Sequence, residues 1–318
     1  MENHTLTAIA GLRVGHFTES RRPTGCTVIL FDKLAVAGVD ARGGAPGTRE
    51  TDALAPLNLV AQVHAIVLAG GSAFGLDAAT GVVRYLRERG VGLDVGVARV
   101  PIVPAAILFD LHAGDPTICP DAEAGYQACL AATDAPVTEG RVGAGAGATV
   151  GKLLGIARAS RGGIGSFGLR LPSGVRVAAL IAVNAVGDVW HPRERRILAG
   201  ARLEDGSFAD LAARIRAGDI THFAPLPPAS HTTIGVVAVN APLTKAELTK
   251  IAQMAHDGLA RAISPIHTPF DGDTLFAVSV ADPSVGASAT DAGCLGALAA
   301  EVVAEAVARG VTAAGFPA

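Results

Sequence analysis

The stretch "SHTTIGVVAVN", residues 230–240, opens on two threonines and runs straight into an apolar segment. Its β-branched residues Ile234, Val236, Val237 and Val239 favour an extended chain, and the run reads as a buried β-strand. Thr232 and Thr233 alternate along it and point to opposite faces. Two hydroxyls at the mouth of a strand are ordinary β-formers, or one of them is a nucleophile. A threonine hydroxyl attacks poorly unless a base takes its proton. One solution is to cut the chain just before the threonine and use the freed α-amine, which titrates near about 8.

The surroundings extend the pattern in both directions. Upstream, "FAPLPPAS" (223–230) is a proline-rich linker, a place where a chain can be cut without breaking a strand. The charged segment 191–218 before it reads as a surface excursion. Further back, "VRVAALIAVNAVGDVW" (175–190) is a long strand with a break around 184–187. Downstream come a helix over 244–263, a strand over 271–281 and a final helix from about 291 to 309. The N-terminal part alternates strand-like runs (11–17, 25–31, 34–44) with glycine turns. Residues 63–90 read as a strand, a Gly-Gly turn and a helix stopped at Gly90. A second helix over 120–132 carries Asp121 and Glu123 in its first turn. Mixed strands and helices predict an α/β or α+β class with layered sheets and helices.

Composition agrees with a packed interior. Half of the 318 residues are hydrophobic and 17% are charged, so a large core can form. Only 4% are aromatic, which makes that core one of Ala, Val, Leu and Ile. A formal charge of −3 gives no reason to expect nucleic acid or an anionic membrane surface as partner. Cys26, Cys119, Cys129 and Cys294 are scattered without a CxxC pair and read as small hydrophobes rather than a disulfide frame. The first residues lack a signal-peptide pattern, and no run reaches the ~18 apolar residues of a membrane span. A soluble, cytoplasmic protein is expected.

Several residues invite chemistry. "GRVGAGAGATVGKLLG" (140–155) imitates a phosphate loop, but Ala146 stands where the first glycine of a Walker motif belongs and Leu153 where its hydroxyl belongs. Nucleotide binding is not expected. Lys152, set among glycines in an apolar stretch, is either solvated or held partly desolvated, where its pKa falls. Asn184 interrupts an apolar strand, so it is either a paired structural amide or a donor to an oxyanion. Asp271 and Asp273, two apart in "PFDGDTLFAV" (269–278), either cap a turn or orient a lysine and an amine. No zinc spacing occurs and "DGD" lacks the further ligands of a calcium loop. No metal and no cofactor are expected.

Taken together these residues resemble the DmpA/NylC family of self-cleaving amidohydrolases, peptidase family S58, with special similarity to its nylon-oligomer hydrolase branch. The matching segments are "RPTGCTVI" (22–29), "VDARGGAPG" (39–47), "VLAGGSAFGLDAATGV" (67–82), "CPDAEAG" (119–125), "GRVGAGAGATVGK" (140–152), "IAVNAVG" (181–187), "HTTIGVVAVN" (231–240) and "PFDGDTLFAV" (269–278). They occur in family order and cover most of the chain. The resemblance implies a layered αββα sandwich of the kind shared with ornithine acetyltransferase. It implies one catalytic domain that cuts itself between His231 and Thr232 into parts 1–231 and 232–318, with the αβ units assembling into a homotetramer. Thr232 matches the nucleophile, Lys152 the lysine near it, Asn184 the oxyanion asparagine, and Asp271 and Asp273 the paired acids. The implied substrates are short peptides, D- or β-amino-acid amides, or amide oligomers. Two positions depart from the family. His231 stands where Asn or Gly is usual, and Phe109 stands where this branch has a tyrosine. The rival readings are an acyltransferase like ornithine acetyltransferase and an uncut, inactive binding or scaffold protein.

Overall fold

A computed structural model describes residues 3–220, 231–285 and 291–315, apart from the side chain of Leu34. The linker 223–230 lies outside these residues. The framework is built from strands β1 (Leu12–Thr18), β2 (Gly25–Ala41), β3 (Val63–Ala69), β4 (Ala105–Ile107), β5 (Gly163–Arg170), β6 (Arg176–Asn184), β7 (Thr232–Val239) and β8 (Thr274–Ser279). The main helices are α1 (Ala78–Glu88), α2 (Ala122–Leu130), α3 (Lys245–Ala262) and α4 (Ala292–Ala313).

Strand alternation explains the layering. Along β6, Val177, Ala179, Ile181 and Val183 pack with Val237, Val239, Leu275 and the inner faces of α3 and α4. Their neighbours Ala178, Leu180 and Ala182 join Ile234, Val236 and Phe276 against Ile29, Ile66 and Leu68 on the facing strands and Leu108 just beyond β4. The outer side of those strands, through Cys26, Val28, Ala65 and Val67, is covered by α1 and α2. The order is therefore helices, sheet, sheet, helices: the αββα arrangement. Both faces of β6 and β7 are covered, which is why neither strand shows a polar face.

The two sheet layers belong to one hydrogen-bonded, curled sheet, in the order β5-β6-β7-β8-β2-β3-β4 and then residues 48–49, with β1 also pairing with β2. The long strand β2 makes the turn between layers. Its first half pairs with β1 and β3, its second half with β8, and the register slips between Leu30 and Ala35. A slip of this kind bends a strand and raises its twist. The sequence pattern reads this stretch as two separate runs; the structure joins them into 17 continuous residues.

The charged excursion is more than surface. Strand Ile197–Ala199 and helix Leu211–Ala217 fold back so that Ala201, Ala209 and Leu211 pack on Leu153 and Val186. The buried Asp188 carboxylate accepts hydrogen bonds from Ala201 N (2.9 Å) and Leu211 N (2.7 Å), which pins the excursion beside the lysine-bearing loop. Of the four cysteines, Cys26 and Cys129 are buried while Cys294 is exposed, and all are free thiols. Among the described residues no helix is long and apolar enough to cross a membrane.

Candidate active site

Strand pairing gathers segments that are far apart in sequence. β7 runs antiparallel to β6, so Thr232 lies directly opposite Asn184, and parallel to β8, so Ile234 lies beside Thr274. A bridge from His231 to Asp271 carries the second pairing one step beyond the strands. Thr232 shares its face with Ile234 and Val236, the side between the two sheet layers; Thr233 points the other way. Thr232 is 2% exposed. Its Oγ1 hydrogen-bonds the carbonyl oxygen of His231, the residue before it. The same oxygen accepts a hydrogen bond from Gly272 N at 2.9 Å. The bond between His231 and Thr232 thus has a hydroxyl against it and a backbone donor on its carbonyl.

Gly272 is constrained by this closeness. A Cβ there would stand 2.8 Å from Thr232 Oγ1 and 2.7 Å from the Ala45 carbonyl oxygen. Gly272→Ala is therefore expected to move the hydroxyl or the donor. The cleavage expected at His231–Thr232 from the family resemblance should then slow by about 10²-fold, the usual cost of a displacement of ~1 Å. The fraction of cut chain against time on a denaturing gel measures it, and cleavage at the normal rate would show that this contact does not set the geometry.

Lys152 enters from the glycine-rich segment. Gly151 holds φ +74°, and a Cβ there would meet Ala201 N at 2.1 Å, so glycine is required to bring the excursion against this loop. The loop is fixed by Gly151 N to Gly187 O (2.9 Å) and Lys152 N to Val186 O (2.8 Å). Lys152 Nζ donates to Asn184 O (2.9 Å) and Asn184 Oδ1 (2.7 Å). Burial lowers the ammonium to about 7, opposed in part by the charges of Asp271, Asp110 and Asp273. Of the two sequence readings of Lys152, desolvation is the one realised.

Asn184 is fully buried and paired. Its Oδ1 also accepts from Thr149 N (3.0 Å), and its Nδ2 donates to Phe109 O at 2.9 Å. The amide therefore positions Lys152 and the Phe109 segment. One Nδ2 hydrogen is committed to Phe109, and the amide nitrogen has a second to offer.

The two acids are both wholly buried but differ in their bonds. Asp273 Oδ1 accepts from Thr233 N (2.6 Å), and its Oδ2 accepts from His267 N (3.2 Å) and meets His267 Nδ1 at 2.8 Å. Asp271 Oδ2 accepts from Thr268 N (2.6 Å), while its Oδ1 is buried with no hydrogen-bond partner among the described residues. Burial, and then the charge of Asp273, push the Asp271 carboxyl above the ordinary carboxylate range.

Three histidines border the site, and of them the sequence pointed to His231 alone. His267 touches Asp273. The His112 ring packs 4.9 Å from that of Phe109, and burial followed by the charge of Lys152 lowers it. His231 is held far below its usual range by burial, then by the charges of Lys152 and His112. A neutral imidazole therefore precedes Thr232, and it is a poor proton acceptor. The adjacency of His267 to "PFDGDT" was the only signal available for it. His112 gave none. Among the described residues no group of three or more His, Cys, Asp or Glu is arranged to hold a metal ion. An apolar cleft of about 400 Å³, lined by Val39, Ala41, Pro46, Leu54 and Thr274, opens beside the Ala45–Pro46 turn that borders Gly272.

The model of peptidase family S58 matches residues 4–316. An "uncharacterized aminopeptidase" of Mycobacterium tuberculosis is 42% identical, with 97% of this chain and 93% of that protein covered. A 6-aminohexanoate-oligomer endohydrolase of a Kocuria species is 32% identical, over 93% of this chain and 83% of that one. Among solved structures, an L-aminopeptidase D-Ala-esterase/amidase from Ochrobactrum anthropi, described as a variant of the Ntn hydrolase fold, superposes with a TM-score of 0.71 at 19% identity, covering 98% of this chain and 86% of its own. A Burkholderia beta-aminopeptidase gives 0.70 at 22%, with the same coverage. These two likenesses show the fold.

Proposed function

The chain belongs to peptidase family S58, and from that premise we propose that it is a self-processing amidohydrolase with Thr232 as nucleophile. The observation that carries the reading is the set of contacts on one peptide bond: the Thr232 hydroxyl and the Gly272 N–H both on the His231 carbonyl oxygen.

In the uncut chain the nitrogen of Thr232 is an amide and cannot act as base. Lys152, held near 7 and bonded to the residue opposite Thr232, is the group poised to accept a proton at neutral pH. Oγ1 attacks the His231 carbonyl carbon, its proton passes to Lys152, and Gly272 N–H holds the oxyanion. The tetrahedral intermediate expels the Thr232 nitrogen, which takes back a proton, and an ester remains. Water hydrolyses the ester, leaving a carboxylate on His231 and a free α-amine on Thr232. The products are parts 1–231 and 232–318. In the cut enzyme that amine is the base. Oγ1 attacks a substrate amide, the departing amine receives the proton, and water releases the acyl group. Asn184 supplies an oxyanion donor once its contacts relax, and Asp271 and Asp273 set the charge around Lys152 and the new amine.

The relatives named as aminopeptidases and oligomer hydrolases support short amides as substrates: small peptides, D- or β-amino-acid amides, or linear amide oligomers. The cleft beside Pro46 is a berth for an apolar acyl chain. Homo-oligomeric assembly in the cytoplasm, as a tetramer of cut units, belongs to the same proposal.

The test is to run the purified protein on a denaturing gel and sequence the N-terminus of the smaller band. A band beginning Thr-Thr-Ile-Gly is expected. A chain still whole after long incubation would overturn self-processing, and the uncut binding protein would become the better reading.

A further inference from the structure

His267 lies outside every role assigned above, yet it is tied to the site by two bonds to one oxygen. Its ring Nδ1 stands 2.8 Å and its backbone N 3.2 Å from Asp273 Oδ2. The other oxygen of the same carboxylate accepts the Thr233 N–H at 2.6 Å, one residue beyond the nucleophile. Asp273 therefore spans two segments: the strand that begins with Thr232 and the turn that carries His267.

The backbone of His267 is itself unusual. It holds φ +57°, in the left-handed region that few residues other than Gly enter, Asn, Asp and His more readily than the rest. That conformation lets the backbone N–H and the ring converge on one carboxylate oxygen. On its far side the ring packs edge-to-face on His256, with centroids 4.9 Å apart. His256 Nε2 is in turn 3.0 Å from the Asp40 carbonyl oxygen. His256 sits on α3 and Asp40 on β2, so the ring of His267 is wedged against rigid elements and cannot easily turn away from Asp273. Among the described residues, the charged or titratable side chains against this ring or its neighbour are Asp273, His256 and, beyond it, Asp40.

We propose that His267 is a positioning residue of the threonine site, acting through Asp273. Its donor fixes the carboxylate, and the carboxylate fixes the Thr233 amide and so the direction in which Thr232 Oγ1 points. The proposal rests on Thr232 being the nucleophile. His267 touches no reacting atom, so its loss should lower turnover and leave substrate affinity nearly untouched.

Two substitutions in the full-length chain separate the ring from the backbone. H267N tolerates the left-handed conformation and keeps an N–H donor near the position of Nδ1. H267G tolerates it with no side chain at all. Cleavage at His231–Thr232 and hydrolysis of an amino-acid p-nitroanilide are measured for both, beside wild type and T232A. H267N should stay within about threefold of wild type in kcat, while H267G falls by up to about 10²-fold with KM within about twofold. If H267G matches or exceeds H267N, the residue serves only the backbone and the proposal is overturned. A rise in KM at constant kcat overturns it equally. Where H267G does not fold, H267D, which has the shape of H267N but an acceptor in place of the donor, gives the same contrast. An uncut wild type together with an active T232A would instead overturn the threonine reading, a result distinct from any of these.

Discussion

Thr232→Ala should yield a folded chain that is never cut and hydrolyses no amide, with kcat/KM down by on the order of 10⁴–10⁶-fold. The size follows from what the hydroxyl does. In the proposed mechanism it forms the bond in self-cleavage and again in every turnover, so nothing replaces it. The substitution removes only the hydroxyl and one methyl from a strand whose partners on both sides remain. Stability should therefore change little, and a melting curve close to that of wild type separates lost chemistry from lost fold. Thr232→Ser is the matched control: it keeps the hydroxyl and should still be cut. Mass spectrometry gives the cut or uncut mass directly. An uncut T232A that still hydrolyses a p-nitroanilide would assign the chemistry to another residue and remove the nucleophile from the proposal.

The strand that carries Thr232 was legible because its pattern is strong. β6 is apolar from Val177 to Val183 and β7 from Ile234 to Val239, and the structure covers both of their faces. The helices over 244–263 and 291–309 were legible from their periodicity, and the capping box of Thr244 and Glu247 marks one of them in the sequence. The union of 25–31 and 34–44 into one strand was not legible. The residues between them, Asp32 and Lys33, read as a break, whereas they sit at the register slip where β2 crosses from one sheet layer to the other. The site divides in the same way. Thr232, Lys152, Asn184, Asp271 and Asp273 could be named from motifs and resemblance. Their meeting place depends on the register that sets Thr232 opposite Asn184, which no local pattern encodes. Gly272 and His267 act through distances of a few ångströms between turns, and a sequence holds no trace of those.

Lys152→Met carries the second large effect, and it is read against pH. In wild type, cleavage should accelerate as pH rises through about 7, where Lys152 loses its proton and becomes able to accept one. Met fills similar space without a base, so cleavage should slow by about 10²–10⁴-fold, and that rise near pH 7 should vanish. Stability gives an independent check with a definite sign. The lysine is lowered in the folded chain, from an ordinary 10.5 to about 7, because burial penalises the ammonium more than the three aspartates favour it. Below pH 7 both the folded and the unfolded chain carry the proton, and the burial cost is felt in full. Between about 7 and 10.5 the unfolded chain binds more protons than the folded one, so stability contributed by this group rises with pH. Denaturant unfolding of wild type and of K152M, measured at pH 6.5 and at pH 9, should therefore show the wild type gaining on the variant by a few kcal/mol at the higher pH. Parallel curves at both pH values would mean that Lys152 keeps its ordinary ionisation in the folded chain. The general base of self-cleavage would then have to be sought among the carboxylates, with Asp271, raised above its ordinary range and with one oxygen unpartnered among the described residues, the first to substitute.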